Sequence, residues 1–191
     1  MWPIRGSLAT PISCNSVAKV HGTNRIFEGR VIRLRVDAVE YDNGARSDVE
    51  IVEHDGGVAI IAQPSPRSIV LVRQFRPAIE RELWEVPAGK LERGEDPLAC
   101  AKRELAEETG YTCAVMRLLW TFFTAPGFCN ERLHLFVAED LTSGTARPEA
   151  TEVLHAREFD LNEAWAMVER DELPDAKTQI ALGWCLRQWS R

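Results

Sequence analysis

Glu104, Glu107 and Glu108 stand at i, i+3 and i+4 in the run Arg103-Glu104-Leu105-Ala106-Glu107-Glu108, a spacing that brings three carboxylates to one face of a helix. Like charges at that spacing repel, so the arrangement costs the helix stability unless a cation sits among them. Clustered hard oxygen donors suit Mg²⁺, with Mn²⁺ as a substitute, since such ions keep several waters and bind through few carboxylates plus substrate phosphates. The plainer alternative is a solvated acidic helix face. Gly89 lies upstream, where a missing side chain lets the backbone pass close to an ion. Arg103 and Glu95 either orient the glutamates and tie the preceding loop to the helix or form a surface ion pair.

The helix that must position these groups has its own signals. Asp96 followed by Pro97 is an N-cap acceptor before a proline whose missing N–H costs nothing in the first turn. Gly110 supplies a left-handed stop. Leu98, Ala101 and Leu105 fall on one stripe expected to pack inward.

Upstream, Ile32, Leu34, Val36 and Ala38 alternate with Arg33, Arg35 and Asp37 as in a half-buried strand. Asp42-Asn43-Gly44 makes a hairpin turn, and Val49 and Ile51 begin the return strand. Residues 1–52 thus read as a small antiparallel β unit ahead of a main domain over residues 53–191. Met1–Asn24 has little periodicity and reads as partly disordered. Further strands are expected over Val58–Ala62, Ile69–Val72, Ala114–Phe123, Leu133–Ala138 and Glu152–Phe159, with a polar loop over Ser143–Ala150. Helices are expected over Asn162–Arg170 and, after Pro174-Asp175, over Ala176–Trp189, with Trp165, Trp184 and Trp189 as packing residues. This order suits an α/β fold, an α/β/α sandwich with a mixed sheet.

The 191 residues, 45% hydrophobic and 27% charged, are ordinary for a globular chain, and the net charge of −6 argues against nucleic acid as a partner. An anionic substrate would need local arginines and metal, because the global field repels it. Cys14, Cys100, Cys113, Cys129 and Cys185 are odd in number and contain no C-x-x-C pair, which fits reduced thiols in a cytoplasmic protein. Cys129 reads as a filler thiol before a reactive one. No run approaches membrane-spanning length and the N-terminus lacks a signal-peptide core, so no membrane association is expected.

Gly89 to Tyr111 resembles the Nudix box, G-x5-E-x7-R-E-U-x-E-E-x-G-U, at all seven fixed identities; Tyr111 departs from it, standing where an aliphatic residue is usual. Val72-Arg73-Gln74-Phe75-Arg76-Pro77, Trp84-Glu85-Val86-Pro87-Ala88-Gly89, Pro126 sixteen positions after Gly110, Ala125-Pro126-Gly127-Phe128 with Glu131, and Asp175-Ala176-Lys177-Thr178 are similar to the ADP-ribose pyrophosphatase branch. The resemblance implies attack of water on a pyrophosphate, converting ADP-ribose to AMP and ribose 5-phosphate. Alternatives are the same reaction on another nucleotide sugar such as GDP-mannose, or a non-catalytic Nudix-fold ligand sensor.

It further implies metal ligation by the Ala88 carbonyl with Glu104, Glu107 and Glu108. Glu131 is the candidate general base, on a loop where proline and glycine permit a hinge, and Glu107 is the alternative base. Arg76 is the candidate phosphate clamp through two parallel guanidinium bonds. Gly89 joins it as a substrate-site residue. Phe27, Trp2 and Trp84 are possible adenine-stacking residues, though each is as readily a packing residue. Related enzymes use their N-terminal strands to form a homodimer, and a small sheet that cannot bury its own apolar face needs a partner surface. That surface is either its own main domain or, in the reading adopted here, a second subunit.

Overall fold

The computed structural model describes residues 17–147 and 154–189. The chain divides into two compact units, Met1–Glu53 and His54–Arg191.

In the N-terminal unit, β1 (Ala18–Glu28), β2 (Ile32–Tyr41) and β3 (Arg46–His54) form a sheet in that order. The turn between β2 and β3 forms where expected. Gly44 adopts φ 79° and its N–H donates to the Tyr41 carbonyl at 2.8 Å, while Asn43 Oδ1 accepts from the Ala45 N–H at 3.0 Å. β1 corrects the expectation of partial disorder over Ala18–Asn24, which is extended and paired antiparallel with β2, from Ala18↔Tyr41 through Asn24↔Val36. The part of that expectation that falls on residues 1–16 lies outside the described residues. Nearly every β1 residue is exposed, so no apolar alternation marks the strand. Pairing with β2, bulged at two points, defines it instead.

The second unit holds two sheets. One contains β5 (Ser68–Arg76), β6 (Arg81–Glu85) and β10 (His155–Asp160) in the order β10-β5-β6, all antiparallel. The other contains β4 (Gly57–Ala62), β7 (Ala88–Lys90), β8 (Thr112–Phe123) and β9 (Arg132–Thr142) in the order β7-β4-β9-β8. It is mixed, because β4 and β9 run parallel while the outer pairs are antiparallel. The helices are α1 (Pro97–Thr109), α2 (Leu161–Glu169) and α3 (Ala176–Trp189).

β4 explains the layering. All six of its residues are buried, as expected of a strand covered on both faces. Val58, Ile60 and Ala62 join Cys100, Ala101 and Leu105 of α1 in one core. Ala59 and Ile61 point the other way, into a core with Leu161 and Ala164 of α2 and Ala181, Leu182 and Cys185 of α3. The period-2 alternation of one strand thus places α1 on one face and the C-terminal helices on the other. This is the α/β/α arrangement expected from the element order.

Trp84, Trp165 and Trp184 pack against the second core. Trp84 is therefore a packing residue, edge-on to Phe159 at 5.0 Å between ring centres. Trp2, Cys14, the side chain of Trp189, and residues 148–153 of the expected loop and strand lie outside the described residues. Among the described residues no helix is long and apolar enough to cross a membrane.

Candidate active site

α1 begins and ends where its signals place it. Asp96 is extended at φ −69°, ψ 127° and accepts the Ala99 N–H at 3.0 Å, and Gly110 turns left-handed at φ 76° with its N–H on the Ala106 carbonyl. Ala101 and Leu105 are buried, but Leu98 is 37% exposed and Cys100 takes the inward position instead. In the first turn, Cys100 is the residue one helical turn before Glu104, which brings it under β7. Its Sγ reaches the Lys90 carbonyl at 3.5 Å. Burial, followed by the nearby Glu95 carboxylate, pushes this thiol up to about 12.

The loop and helix of the site meet at Gly89. A Cβ added there would lie 1.9 Å from the Glu104 carboxyl group, far inside van der Waals contact, so only glycine lets β7 approach the helix this closely. One residue earlier, the Ala88 N–H donates to Glu108 Oε2 at 3.0 Å, and Glu108 is only 4% exposed. Ala88, Gly89, Glu104 and Glu108 are therefore gathered at one place.

Arg103 organises the remaining carboxylates. Its Nε and Nη2 donate to the two oxygens of Glu95 at 3.1 and 3.2 Å, while Nη1 reaches Glu104 at 2.8 Å and Glu107 at 3.0 Å. Glu95 also accepts the Glu92 N–H at 2.9 Å, which closes the loop before the helix. The hydrogen bonds from Arg103 hold the Glu95 carboxyl below its usual range, and those from Glu95 raise the guanidinium further. Arg103 thus orients Glu104 and Glu107, and Glu95 ties the loop to the helix.

The three box carboxylates do not point at one centre. Glu104 and Glu107 turn to Arg103 and Glu108 turns to the backbone. Among the described residues no group of three His, Cys, Asp or Glu is set closely enough to hold a metal ion. The donor chemistry nevertheless fits a hard divalent cation. Three carboxylates and the Ala88 carbonyl are all oxygen donors, carried on two elements that the Gly89–Glu104 approach holds together.

Arg76, at the end of β5, makes two parallel bonds, but to a protein carboxylate. Its Nε and Nη2 donate to Glu85 Oε1 and Oε2, each at 2.7 Å. Glu85 ends β6, is 2% exposed and also receives Lys177 Nζ. Burial pushes the Glu85 carboxyl up, but the Arg76 hydrogen bonds and the charge of Lys177 outweigh it and leave it below its usual range. Lys177 bridges onward to Asp175 at 2.9 Å, and Asp175 caps α3 through the Thr178 N–H at 3.0 Å. Thr178 Oγ1 accepts the Val86 N–H at 2.9 Å. Glu85, Lys177 and Thr178 had no assigned role in the sequence. The available signal for Glu85 was a lone carboxylate inside the otherwise apolar run Leu83-Trp84-Glu85-Val86.

Glu131 lies on the loop between β8 and β9. Its Oε2 accepts the Thr124 hydroxyl at 2.6 Å, its Oε1 is 3.4 Å from His54 Nδ1, and its N–H donates to Cys129 Sγ at 3.4 Å. Cys129 thereby acts within the loop's own hydrogen bonding. His54 and Thr124 were not anticipated as neighbours of Glu131. Phe27 lies on β1 of the N-terminal unit, 53% exposed, with its ring over Gly29.

Residues 53–181 match the family described as NUDIX domain. The chain is 46% identical over 162 residues to the methanol dehydrogenase activator of Bacillus methanolicus, spanning 84% of this chain and 88% of that protein. It is 43% identical over 166 residues to the ADP-ribose pyrophosphatase of Bacillus subtilis (strain 168), spanning 86% of this chain and 90% of that one. Its fold is similar to that of the crystal structure of ADP compounds hydrolase, with a TM-score of 0.78 at 21% identity over 90% of this chain and 93% of the other.

Proposed function

Starting from the fact that this chain belongs to the Nudix family and is a Nudix hydrolase, we propose that it splits the pyrophosphate bond of ADP-ribose, in a reaction dependent on Mg²⁺, to give AMP and ribose 5-phosphate. The observation that carries the substrate is the likeness to an ADP-ribose pyrophosphatase along most of both chains. The complete set of box glutamates supports catalysis over a sensing role that needs no chemistry.

Glu104, Glu107, Glu108 and the Ala88 carbonyl would hold the metal, with Mn²⁺ as a substitute. A bound divalent cation supplies charge stabilisation at the phosphate oxygens and makes water a better nucleophile near neutral pH. The protein's own groups do the rest. Arg76 offers a guanidinium fork that suits a phosphate as well as a carboxylate. Glu131 accepts the proton of the attacking water on a carboxylate oxygen as the new P–O bond forms and the bridging P–O bond breaks. Glu107 is the alternative acceptor. Phe27 is the aromatic surface on which a purine could stack.

Released mononucleotide, measured across ADP-ribose, GDP-mannose and other nucleotide sugars in saturating Mg²⁺, tests this reading. A preference for GDP-mannose would keep the chemistry and replace the substrate. No mononucleotide from any of them would overturn the proposal. The likeness to a methanol dehydrogenase activator supports a second reading, action upon a dehydrogenase. It predicts that adding this protein raises the rate of a methanol dehydrogenase, and an unchanged rate would dismiss it.

Residues 1–52 are proposed as the dimerisation unit and 53–191 as the catalytic domain. Val17, Val20, Ile26, Phe27 and Ile32 all remain exposed in the N-terminal unit, more apolar surface than a small sheet leaves open without a partner. Sedimentation of the full chain and of a chain lacking residues 1–52 checks this. A full-length monomer with normal activity would rule it out.

A further inference from the structure

We propose that Lys177 is a stand-by counter-ion for Glu85, the positioning residue that allows Arg76 to exchange Glu85 for a substrate phosphate. The inference rests on the reading of Arg76 as a phosphate ligand and adds the device that makes that role compatible with the fold.

The difficulty lies in the burial of Glu85. Both of its oxygens are taken by Arg76, and at 2% exposure it has almost no access to water. Removing the partner of a buried carboxylate is strongly disfavoured, because the charge is left uncompensated in a medium of low dielectric. Were Arg76 the only cation at Glu85, the pair would be a fixed structural bridge and no substrate could draw Arg76 away. Glu85 Oε2, however, is shared between Arg76 Nη2 and Lys177 Nζ.

The two cations differ in freedom. The Arg76 side chain is 39% exposed and that of Lys177 only 16%. Lys177 is held from behind by Asp175, whose other oxygen caps α3. Thr178, the next residue, grips the N–H of Val86, directly after Glu85. Lys177 therefore stays with Glu85, while Arg76 has a path outward. The Glu85 hydrogen bonds are the main cause that raises the Arg76 guanidinium, and the charge of Glu108 on the box helix adds to it. A fork that fits a carboxylate bidentately fits a phosphate in the same way, so the exchange conserves both hydrogen bonds.

Lys177→Met removes the stand-by charge and leaves Arg76 committed to Glu85. The KM for ADP-ribose should rise by about tenfold or more while kcat changes little, the pattern of lost substrate binding without lost transition-state chemistry. Calorimetric titration with ADP-ribose in EDTA, where no turnover occurs, should weaken in parallel. Lys177→Arg should keep the wild-type KM. Adding Glu85→Gln to Lys177→Met should restore KM, because a neutral amide cannot detain the guanidinium. A purely architectural Lys177 would lower Tm without moving KM, and its defect would deepen when Glu85→Gln is added. Either result overturns the proposal, as does failure of both Lys177→Met and Lys177→Gln to yield folded protein. Arg76→Gln separates the two readings. An unchanged KM there removes Arg76 as phosphate ligand, whereas a raised KM there beside a normal one in Lys177→Met removes only the role of Lys177.

Discussion

Two ion-pair clusters in the second unit are made of the same residue types and differ in balance and burial. Around Arg103, one guanidinium faces Glu95, Glu104 and Glu107, and both Arg103 and Glu107 keep about a third of their side chains in solvent. Around Glu85, two cations face two carboxylates, and the central carboxylate is sealed from water. An acid-rich cluster at the surface can take up another cation and rearrange at small cost, since solvent screens each pair. A charge-matched cluster in the interior holds elements in place, and its members leave only by exchange. The first therefore suits ligation and the second suits alignment of the strand ends that lead into the site.

The sharpest way to break this contrast is to neutralise the acid-rich side. Glu108→Gln and Glu104→Gln should each lower turnover by roughly 100-fold or more while the fold survives, since oriented electrostatic groups at such sites are worth that much. Arg103 keeps both bonds to Glu95, so melting in EDTA should be unchanged or slightly higher as repulsion is relieved. Near wild-type turnover of either variant in saturating Mg²⁺ would remove that glutamate as a metal ligand.

Glu131 tests whether the base lies outside both clusters. Glu131→Gln keeps size and hydrogen bonding and removes basicity. It should lower kcat by about 100-fold with KM little changed and erase the acidic limb of the pH profile. A loss under about tenfold, with that limb retained, would assign the role to Glu107.

The smallest effect is in acid. The Glu85 carboxyl is depressed below its ordinary value of 4.5. Its contribution to stability is therefore fully present above that value and lost as pH falls through the lower folded-state pKa. The stability gap between wild type and Glu85→Gln should be constant from neutrality to about pH 5 and narrow below it. The same comparison for Glu95→Gln should show a weaker trend, because solvent screens the Arg103 cluster. Equal gaps at every pH would mean that the Glu85 charge does not stabilise the fold.

Most of the second unit was legible because its signals are local. β4, β8 and β9 announce themselves as apolar runs, α1 carries its own cap and stop, and α3 spans the residues expected. β1 was not legible, since an exposed strand held by its neighbour has no hydrophobic period to read. β6 and β7 are short and interrupted by Val86-Pro87, and only the resemblance drew attention to that stretch. At the site, residue types and spacing marked the glutamates, Gly89 and Arg103. They could not reveal that Arg76 spends its fork on Glu85, because that bond joins the ends of two strands. Nor could they show Lys177 and Thr178 arriving from α3, since contacts so distant in sequence leave no periodic trace.

That last contact has a consequence for biosynthesis. Val86 and Thr178 are 92 residues apart, and β4 pairs in parallel with β9 across a crossover that includes α1. Such non-local pairings incur their loop-closure entropy before they yield any stability, and they slow folding. A nascent chain leaves the ribosome N-terminus first, so the box helix is made well before the segment that pins the turn leading into it. Until α3 emerges, the Val86 N–H lacks the Thr178 hydroxyl that accepts it, and the turn leading into the box helix is without that tie.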